Sequence, residues 1–232
     1  MGIAKRLAAE FIGTAMLLAI GGGAGIAAQR LAGGDAAMAL LISALVGATG
    51  LALLILTFGH LSGGLFNPVL TLSEAWRGRL RADYVAPYIV VQAAGAVAGV
   101  AAVHAAYGLD LMLATQQVHT GTGQWLGEFA ATFGLLCVFI GCGRVHPMVA
   151  PFAVSAYVVA ACCFSTSPAF MNPAMTLARA IGQAGALRMV DAPAFMLSQL
   201  AGAGAATAFF MWLHGRTRGV LPGPTAGDSH AG

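Results

Sequence analysis

The chain has 232 residues, of which 59% are hydrophobic and 8% are charged, and its formal net charge is +3. A soluble globular domain carries about 25% charged residues, so this composition excludes the soluble class and indicates a membrane protein. The basic residues are spread between apolar segments, so the positive charge does not predict nucleic-acid binding.

Six apolar segments account for nearly all of the chain, and each is close to the ~20 residues that a helix needs to cross a bilayer core. A transmembrane barrel would instead show segments of ~10 residues with alternating polarity, which this sequence lacks. The sequence therefore predicts an all-α membrane protein whose six transmembrane helices occupy roughly residues 7–28, 36–59, 84–106, 123–143, 148–167 and 192–214.

Basic residues outside these segments predict the orientation. By the positive-inside rule, both termini are expected to be cytoplasmic and the protein to lie in the inner (plasma) membrane. The first segment is interpreted as a transmembrane helix and not as a signal peptide, because Glu10 interrupts it and further spans follow. The basic residues at the termini and in the second and fourth connections are Lys5, Arg6, Arg77, Arg79, Arg81, Arg144, Arg216 and Arg218, whereas Arg30, Arg179 and Arg188 belong to the other connections.

The sequence contains an internal repeat. FNPVLTL at 66–72 and MNPAMTL at 171–177 share the pattern x-N-P-x-x-T-L, and two further pairs of segments match in the same order: LAAEFIGT with WLGEFAAT, and APYIVVQAAG with APAFMLSQLAG. Each repeat holds three spans, an odd number, so the second repeat must be inverted in the membrane relative to the first. We therefore expect one domain over residues 1–220, with repeats at about 5–106 and 123–214, and a disordered tail at 221–232.

Each Asn-Pro pair predicts the start of a short helix, because Asn is a good N-cap and proline suits the first helical turn. The apolar runs that follow, at about 67–76 and 172–182, span about half a bilayer at ~1.5 Å per residue. They are predicted to be re-entrant half-helices whose N-termini meet near the midplane. Two positive helix ends would repel cations, and the asparagine N–H groups would bind a polar solute, so a pore for uncharged molecules is expected.

The motif SGGLFNPV at 62–69 resembles the SGxHxNPA signature of the major intrinsic protein family, the aquaporins and aquaglyceroporins, with Leu65 in place of His and Val69 in place of Ala. The resemblance covers about residues 5–214. It implies a protomer of six helices and two half-helices with its own pore, and a homotetramer in the lipid bilayer. It also implies two pore motifs, at Asn67, Pro68 and Val69 and at Asn172, Pro173 and Ala174, with Glu10 and Glu128 supporting the re-entrant loops.

The second motif departs from the family pattern. The family places Arg directly after NPA, and this chain has Met175 there. Motif offsets assign the other constriction positions to Gly47, Ala160 and Ala169. None of these residues is aromatic or charged, so a wide apolar constriction without a fixed cation is expected, which would favour solutes bulkier than water.

The segments GQWLGEFAATFG and FSTSPAFMNPAMTLAR resemble a bacterial subgroup of aquaporin-like channels associated with arsenic-resistance genes. This resemblance implies passage of neutral metalloid hydroxides such as arsenous acid; glycerol-like polyols and water are further candidates. The sequence leaves open whether Phe164 or Phe170 refills the constriction, and which roles belong to Arg179, Cys162 and Cys163.

Two alternatives to this reading are a strict water channel and a gradient-coupled secondary transporter, since inverted repeats with half-helices also serve alternating access. Against the transporter, the only acids inside the spans are Glu10 and Glu128. A non-conducting structural protein is disfavoured by the small residues at the constriction. No nucleophile, base or metal-ligand spacing converges, so neither an enzyme, a metal nor a cofactor is predicted.

Overall fold

The computed structural model describes residues 2–109, 118–145, 148–181 and 187–213. The predicted disordered tail at 221–232 lies outside the described residues. Within the described ranges the chain forms eight α-helices: α1 (Ile3–Leu31), α2 (Ala36–Ser62), α3 (Pro68–Trp76), α4 (Ala82–Tyr107), α5 (Thr122–Val145), α6 (Ala150–Phe164), α7 (Pro173–Ile181) and α8 (Ala192–Leu213).

The predicted all-α membrane architecture is confirmed. Five helices, α1, α2, α4, α5 and α8, are long and apolar enough to cross a bilayer. α6 has 15 residues and is shorter than its predicted span, because the backbone turns extended at Ser165. α3 and α7 have 9 residues each, which is about 14 Å at ~1.5 Å per residue, so each reaches only part of the way through a ~30 Å bilayer core.

The two halves of the chain pack in the same way. α1 lies against α2 and α4, and α5 lies against α6 and α8. Each half-helix bridges the halves, because α3 and α7 both contact α4 and α8. α2 and α6 join the halves directly. The half-helices are therefore held between two three-helix units.

Two glycines allow the long helices to approach closely at equivalent positions. A Cβ on Gly95 of α4 would lie 2.4 Å from the carbonyl oxygen of Phe11 in α1, and a Cβ on Gly202 of α8 would lie 2.4 Å from the carbonyl oxygen of Phe129 in α5. Only glycine permits this packing of backbone against backbone. The contact sets the distance between the first and third spans of each half, and thereby positions the carboxylate that each first span carries.

Candidate pore

The two Asn-Pro pairs meet in the middle of the fold, and each half-helix begins with its proline. Asn67 caps α3, because its side-chain oxygen accepts a hydrogen bond from the Val69 N–H at 3.0 Å. Asn172 caps α7 in the same way through the Ala174 N–H at 3.0 Å. Both caps satisfy an N–H group that the first helical turn leaves without a backbone partner.

The same asparagines tie the two loops together. Nδ2 of Asn67 donates to the carbonyl oxygen of Met171 at 2.8 Å, and Nδ2 of Asn172 donates to the carbonyl oxygen of Phe66 at 2.9 Å. A side-chain amide carries two N–H donors, so each asparagine retains one donor after this bond. Both asparagines line a cavity, so the remaining donors are available to a solute inside it.

Glu10 holds the first re-entrant loop. Its carboxylate accepts hydrogen bonds from the N–H groups of Leu65 at 3.0 Å and Phe66 at 2.7 Å, and from the Ser62 hydroxyl at 2.6 Å. Gln92 of α4 donates to the same carboxylate at 2.9 Å. Because Glu10 is fully buried, these donors replace the water that a carboxylate would otherwise need.

Glu128 repeats this arrangement in the second half. It accepts hydrogen bonds from the N–H groups of Phe170 at 2.9 Å and Met171 at 3.0 Å, and from the Ser167 hydroxyl at 2.9 Å. Gln199 of α8 donates to it at 2.8 Å. Neither glutamate lines the cavity. The two carboxylates therefore bind the loops and do not face the cavity.

The threonine of the repeated x-N-P-x-x-T-L pattern completes each network, a role that the sequence interpretation did not assign. Thr71 donates to the carbonyl oxygen of Asn67 at 3.0 Å and accepts from Gln92 at 2.9 Å. Thr176 makes the equivalent bonds, at 3.0 and 2.8 Å. Its recurrence at one offset in both repeats was the available signal. Threonine thus links the N-cap of each half-helix to the third span of its half.

Among the described residues, three other than glycine adopt a left-handed backbone, all in the re-entrant loops: Phe66 (φ 49°), Ala169 (φ 51°) and Met171 (φ 52°). Such conformations cost on the order of 1–3 kcal/mol each and persist only where the surroundings hold them. Phe66 and Met171 are held at both ends, because their N–H groups bind the glutamates and their carbonyl groups bind the asparagines.

A cavity of about 290 Å³ runs past both asparagines. Aliphatic and small residues of α1, α2, α5 and α6 form about half of its wall, and the two re-entrant loops form most of the rest. In the described part of the chain, the polar side chains on this wall belong to Ser43, Asn67, Cys162, Asn172 and Arg179. A solute in the cavity therefore meets a largely apolar surface with few hydrogen-bonding groups.

Three of the four constriction positions assigned from the sequence, Gly47, Ala169 and Met175, line this cavity. The fourth assignment was wrong, because Ala160 is exposed and α6 contributes Val158 and Cys162 to the wall instead. At ~3.6 residues per turn, a residue midway between those two points to the opposite side of the helix.

Two residues whose roles the sequence left open also lie on the wall. Phe170 is 8% exposed and lines the cavity, whereas Phe164 is 57% exposed and does not. Arg179 lines the cavity too, and its guanidinium carbon lies 5.7 Å from the centroid of the Phe170 ring. The sequence predicted a constriction without a fixed cation and left the role of Arg179 open. The usual arginine position holds Met175, but a cation enters the wall from one helical turn further along α7.

The two neighbouring cysteines of α6 also differ in their position: Cys162 lines the cavity, and Cys163 is exposed. Over the ranges that the structure describes, no group of three or more His, Cys, Asp or Glu is placed to hold a metal ion. The wall therefore offers a solute hydrogen bonds, apolar contact and one guanidinium.

Two half-helices that meet end to end beside a cavity, held between two inverted three-helix units, define an aquaporin-like membrane channel. Comparison with known proteins gives the family. The major intrinsic protein family model matches residues 1–145. Aquaglyceroporin AqpS of Rhizobium meliloti (strain 1021) is 36% identical over 220 residues, which cover 94% of each chain. The chain belongs to the major intrinsic protein family.

Two further comparisons agree with this assignment. Aquaporin A of Dictyostelium discoideum is 31% identical over 191 residues, covering 76% of this chain and 68% of that protein. The structure of the aquaglyceroporin from Plasmodium falciparum shares the fold, with a TM-score of 0.74 at 19% identity over 90% of this chain and 96% of that one. The protein is therefore a multi-pass membrane channel for small solutes and not an enzyme.

Proposed function

We propose that the protein is a passive channel for small uncharged solutes bulkier than water, with arsenous acid and glycerol-like polyols as its favoured substrates. The observation that carries this proposal is Met175 on the cavity wall, at the position where the resemblance to the family places Arg. A methionine offers a flexible apolar surface in place of a planar set of N–H donors. The loss of that cation widens the path and reduces the number of hydrogen bonds that a small polar solute can recover there.

The rest of the wall supports the same substrate class. A Cβ on Gly47 would meet no atom within 4 Å, so α2 leaves open space at its constriction position. Arsenous acid and glycerol each carry three hydroxyl groups. Such a solute can accept hydrogen bonds from Asn67 and Asn172 while its remaining surface lies on the aliphatic wall.

Charged solutes and gradient coupling are disfavoured by the same wall. Each half-helix N-terminus carries roughly half a positive elementary charge, and Arg179 adds a full one. No carboxylate of the described residues lines the cavity, so a proton or sodium ion would find no acidic site there. These charges favour a passive channel for neutral molecules over a cation-coupled transporter.

The remaining assignments complete the proposal. The residue triplets Asn67 to Val69 and Asn172 to Ala174 serve as the pore motifs, with Glu10 and Glu128 as loop supports. A homotetramer and cytoplasmic termini in the inner membrane are proposed from the family resemblance and the distribution of basic residues. Exposed apolar residues on the outer helix faces, such as Leu53 at 60%, suit contact with lipid or with another protomer.

The test is stopped-flow light scattering on proteoliposomes with water, glycerol and arsenous acid in parallel. We expect Met175→Arg to lower glycerol and arsenous acid permeability about tenfold, a barrier increase of ~1.4 kcal/mol, and water permeability much less. Met175→Leu is the matched control and should keep the parent's ratios. Equal reduction for all three solutes in Met175→Arg would place the constriction elsewhere and contradict the proposal.

A further inference from the structure

Arg179 is a cation on the cavity wall, and no acidic group among the described residues forms an ion pair with it. Its Nε atom is buried and has no hydrogen-bond partner among the described residues. Over the same residues, the ion pairs of the fold join other groups, at Arg77, Arg81 and Arg188. A buried donor without a partner costs about 1–3 kcal/mol, so its retention calls for an explanation.

In the first half, the position equivalent to Arg179 does not place an unpaired charge on the cavity wall. By the offset between the two Asn-Pro pairs, the counterpart of Arg179 is Glu74 of α3. Glu74 forms an ion pair with Arg77 and does not line the cavity. This helical position therefore carries a residue of an internal ion pair in α3 and a residue of the cavity wall in α7.

Two neighbours hold the Arg179 guanidinium in place. The Phe170 ring lies 5.7 Å from its central carbon, within the range of a cation–π interaction. A Cβ on Gly21 of α1 would lie 3.3 Å from Nη2. Gly21 begins the run GGGAG at 21–25, and it also lines the cavity. The missing side chain at Gly21 leaves the space that the guanidinium occupies.

We propose that Arg179 is the specificity-determining cation of this channel, set back by one helical turn from Met175. Its N–H groups bind the hydroxyl oxygens of a passing polyol or metalloid hydroxide, and its charge excludes cations. Arg179 follows Met175 by four residues, which corresponds to about 6 Å along the helix axis, so the guanidinium acts beside a widened section. This inference rests on the proposed function for its substrate class, and it explains how a wide path retains a cation.

The first experiment compares Arg179→Met with Arg179→Lys in the proteoliposome assay. Arg179→Met removes a charged hydrogen-bond donor from the wall, so it should lower the glycerol-to-water permeability ratio about tenfold or more. Arg179→Lys keeps a charged donor and should retain most of the ratio. An unchanged or higher ratio in Arg179→Met would overturn the inference.

The second experiment needs no flux and uses the Cys162 thiol as a charge sensor on the same wall. The three other cysteines, Cys137, Cys142 and Cys163, are replaced by serine. Anionic and cationic methanethiosulfonate reagents then compete for Cys162. A fixed positive charge nearby favours the anionic reagent, and Arg179→Met should shift the rate ratio about tenfold toward the cationic one. No shift would mean that the guanidinium faces away from the path, which would overturn the inference.

Gly21 supplies a matched pair of variants with Gly23, where a Cβ would meet nothing within 4 Å. Both glycines lie in α1, so valine changes the helix propensity by a similar amount at each. Gly21→Val should displace the guanidinium and reproduce the thiol shift of Arg179→Met, while Gly23→Val should not. Identical thiol ratios for the two valine variants would contradict the proposed placement. A parent protein that conducts no solute would contradict the proposed function, while the thiol ratio would still decide this inference.

Discussion

The two half-helices, α3 and α7, and the re-entrant loops before them are held by the same set of hydrogen bonds, yet the two halves present different side chains to the cavity. Leu65 and Leu70 line it in the first half, whereas Phe170 and Met175 line it at the equivalent positions of the second. The duplicated glutamates, glutamines and threonines preserve the scaffold in both halves. The comparison shows that the glutamates, glutamines and threonines that hold the loops are separate from the side chains that differ on the cavity wall, so one half can change its wall without losing this support.

The first spans of the two halves differ in the same sense. Leu17 of α1 and its counterpart Leu135 of α5 both line the cavity. One turn further along, α1 has Gly21 and α5 has Phe139. The Phe139 ring therefore narrows the cavity beside α5. Beside α1, Gly21 leaves space that the Arg179 side chain of α7 occupies. We expect solutes to be selected at the end of the cavity that Arg179 lines.

The largest expected effect comes from the loop supports. Glu10→Gln and Glu128→Gln each turn an amide N–H₂ toward buried donors, and every N–H left unpaired costs about 1–3 kcal/mol. If the halves share one scaffold, both variants should lower the thermal midpoint in detergent by similar, large amounts. Asp35→Asn is the control, because Asp35 caps α2 from an exposed position and Asn caps equally well. A large loss in only one glutamate variant would break the proposed equivalence.

A smaller effect is expected where the third span of each half packs closely against the first, at Gly95 and Gly202. Gly95→Ala and Gly202→Ala force a Cβ to within 2.4 Å of a carbonyl oxygen, and such overpacking costs about 1–3 kcal/mol. Gly204→Ala, in the same helix as Gly202, is the matched control because its Cβ would meet nothing within 4 Å. In thermal unfolding, the control should have the same midpoint as the parent, and Gly95→Ala and Gly202→Ala should have lower midpoints. If the control fell as far as Gly202→Ala, close approach to the carbonyl oxygen would not explain the loss, because alanine by itself favours a helix more than glycine does.

The smallest effect concerns the connection before α8. Asp191 accepts two hydrogen bonds from Arg188, at 2.8 and 2.9 Å, and these bonds lower the pKa of its carboxyl group. A lowered pKa stabilises the fold at neutral pH, and the contribution is lost as the pH falls below the ordinary value of about 3.9. The difference in thermal midpoint between parent and Asp191→Asn should therefore shrink below pH ~4. A difference that stays constant with pH would show that the ion pair adds no stability.

The fold could be predicted from the sequence because its signals are long and repeated. The lengths of the six apolar runs predict the spans, and the backbone chemistry of the duplicated Asn-Pro motif predicts the two half-helices. The structure confirms the all-α membrane class. The helical phase of α6 could not be predicted from motif offsets. A shift of two residues turns a side chain by roughly 200°, which separates Ala160 from Cys162.

The place of Arg179 could not be predicted for a different reason. Its position in sequence, one turn after Met175, fits either a wall group or an interfacial anchor. The outcome depends on the space at Gly21 and the ring of Phe170, and Gly21 belongs to a distant part of the chain. A motif read along one segment contains no information about such a tertiary contact.

Tracer flux of glycerol and arsenous acid into proteoliposomes, with and without imposed proton and sodium gradients, tests the central claim that two like halves enclose one passive path. We predict equal initial rates in both directions, no dependence on either cation gradient, and equilibration at equal solute concentrations on the two sides. Accumulation of either solute against its own gradient when a proton or sodium gradient is applied would contradict the account.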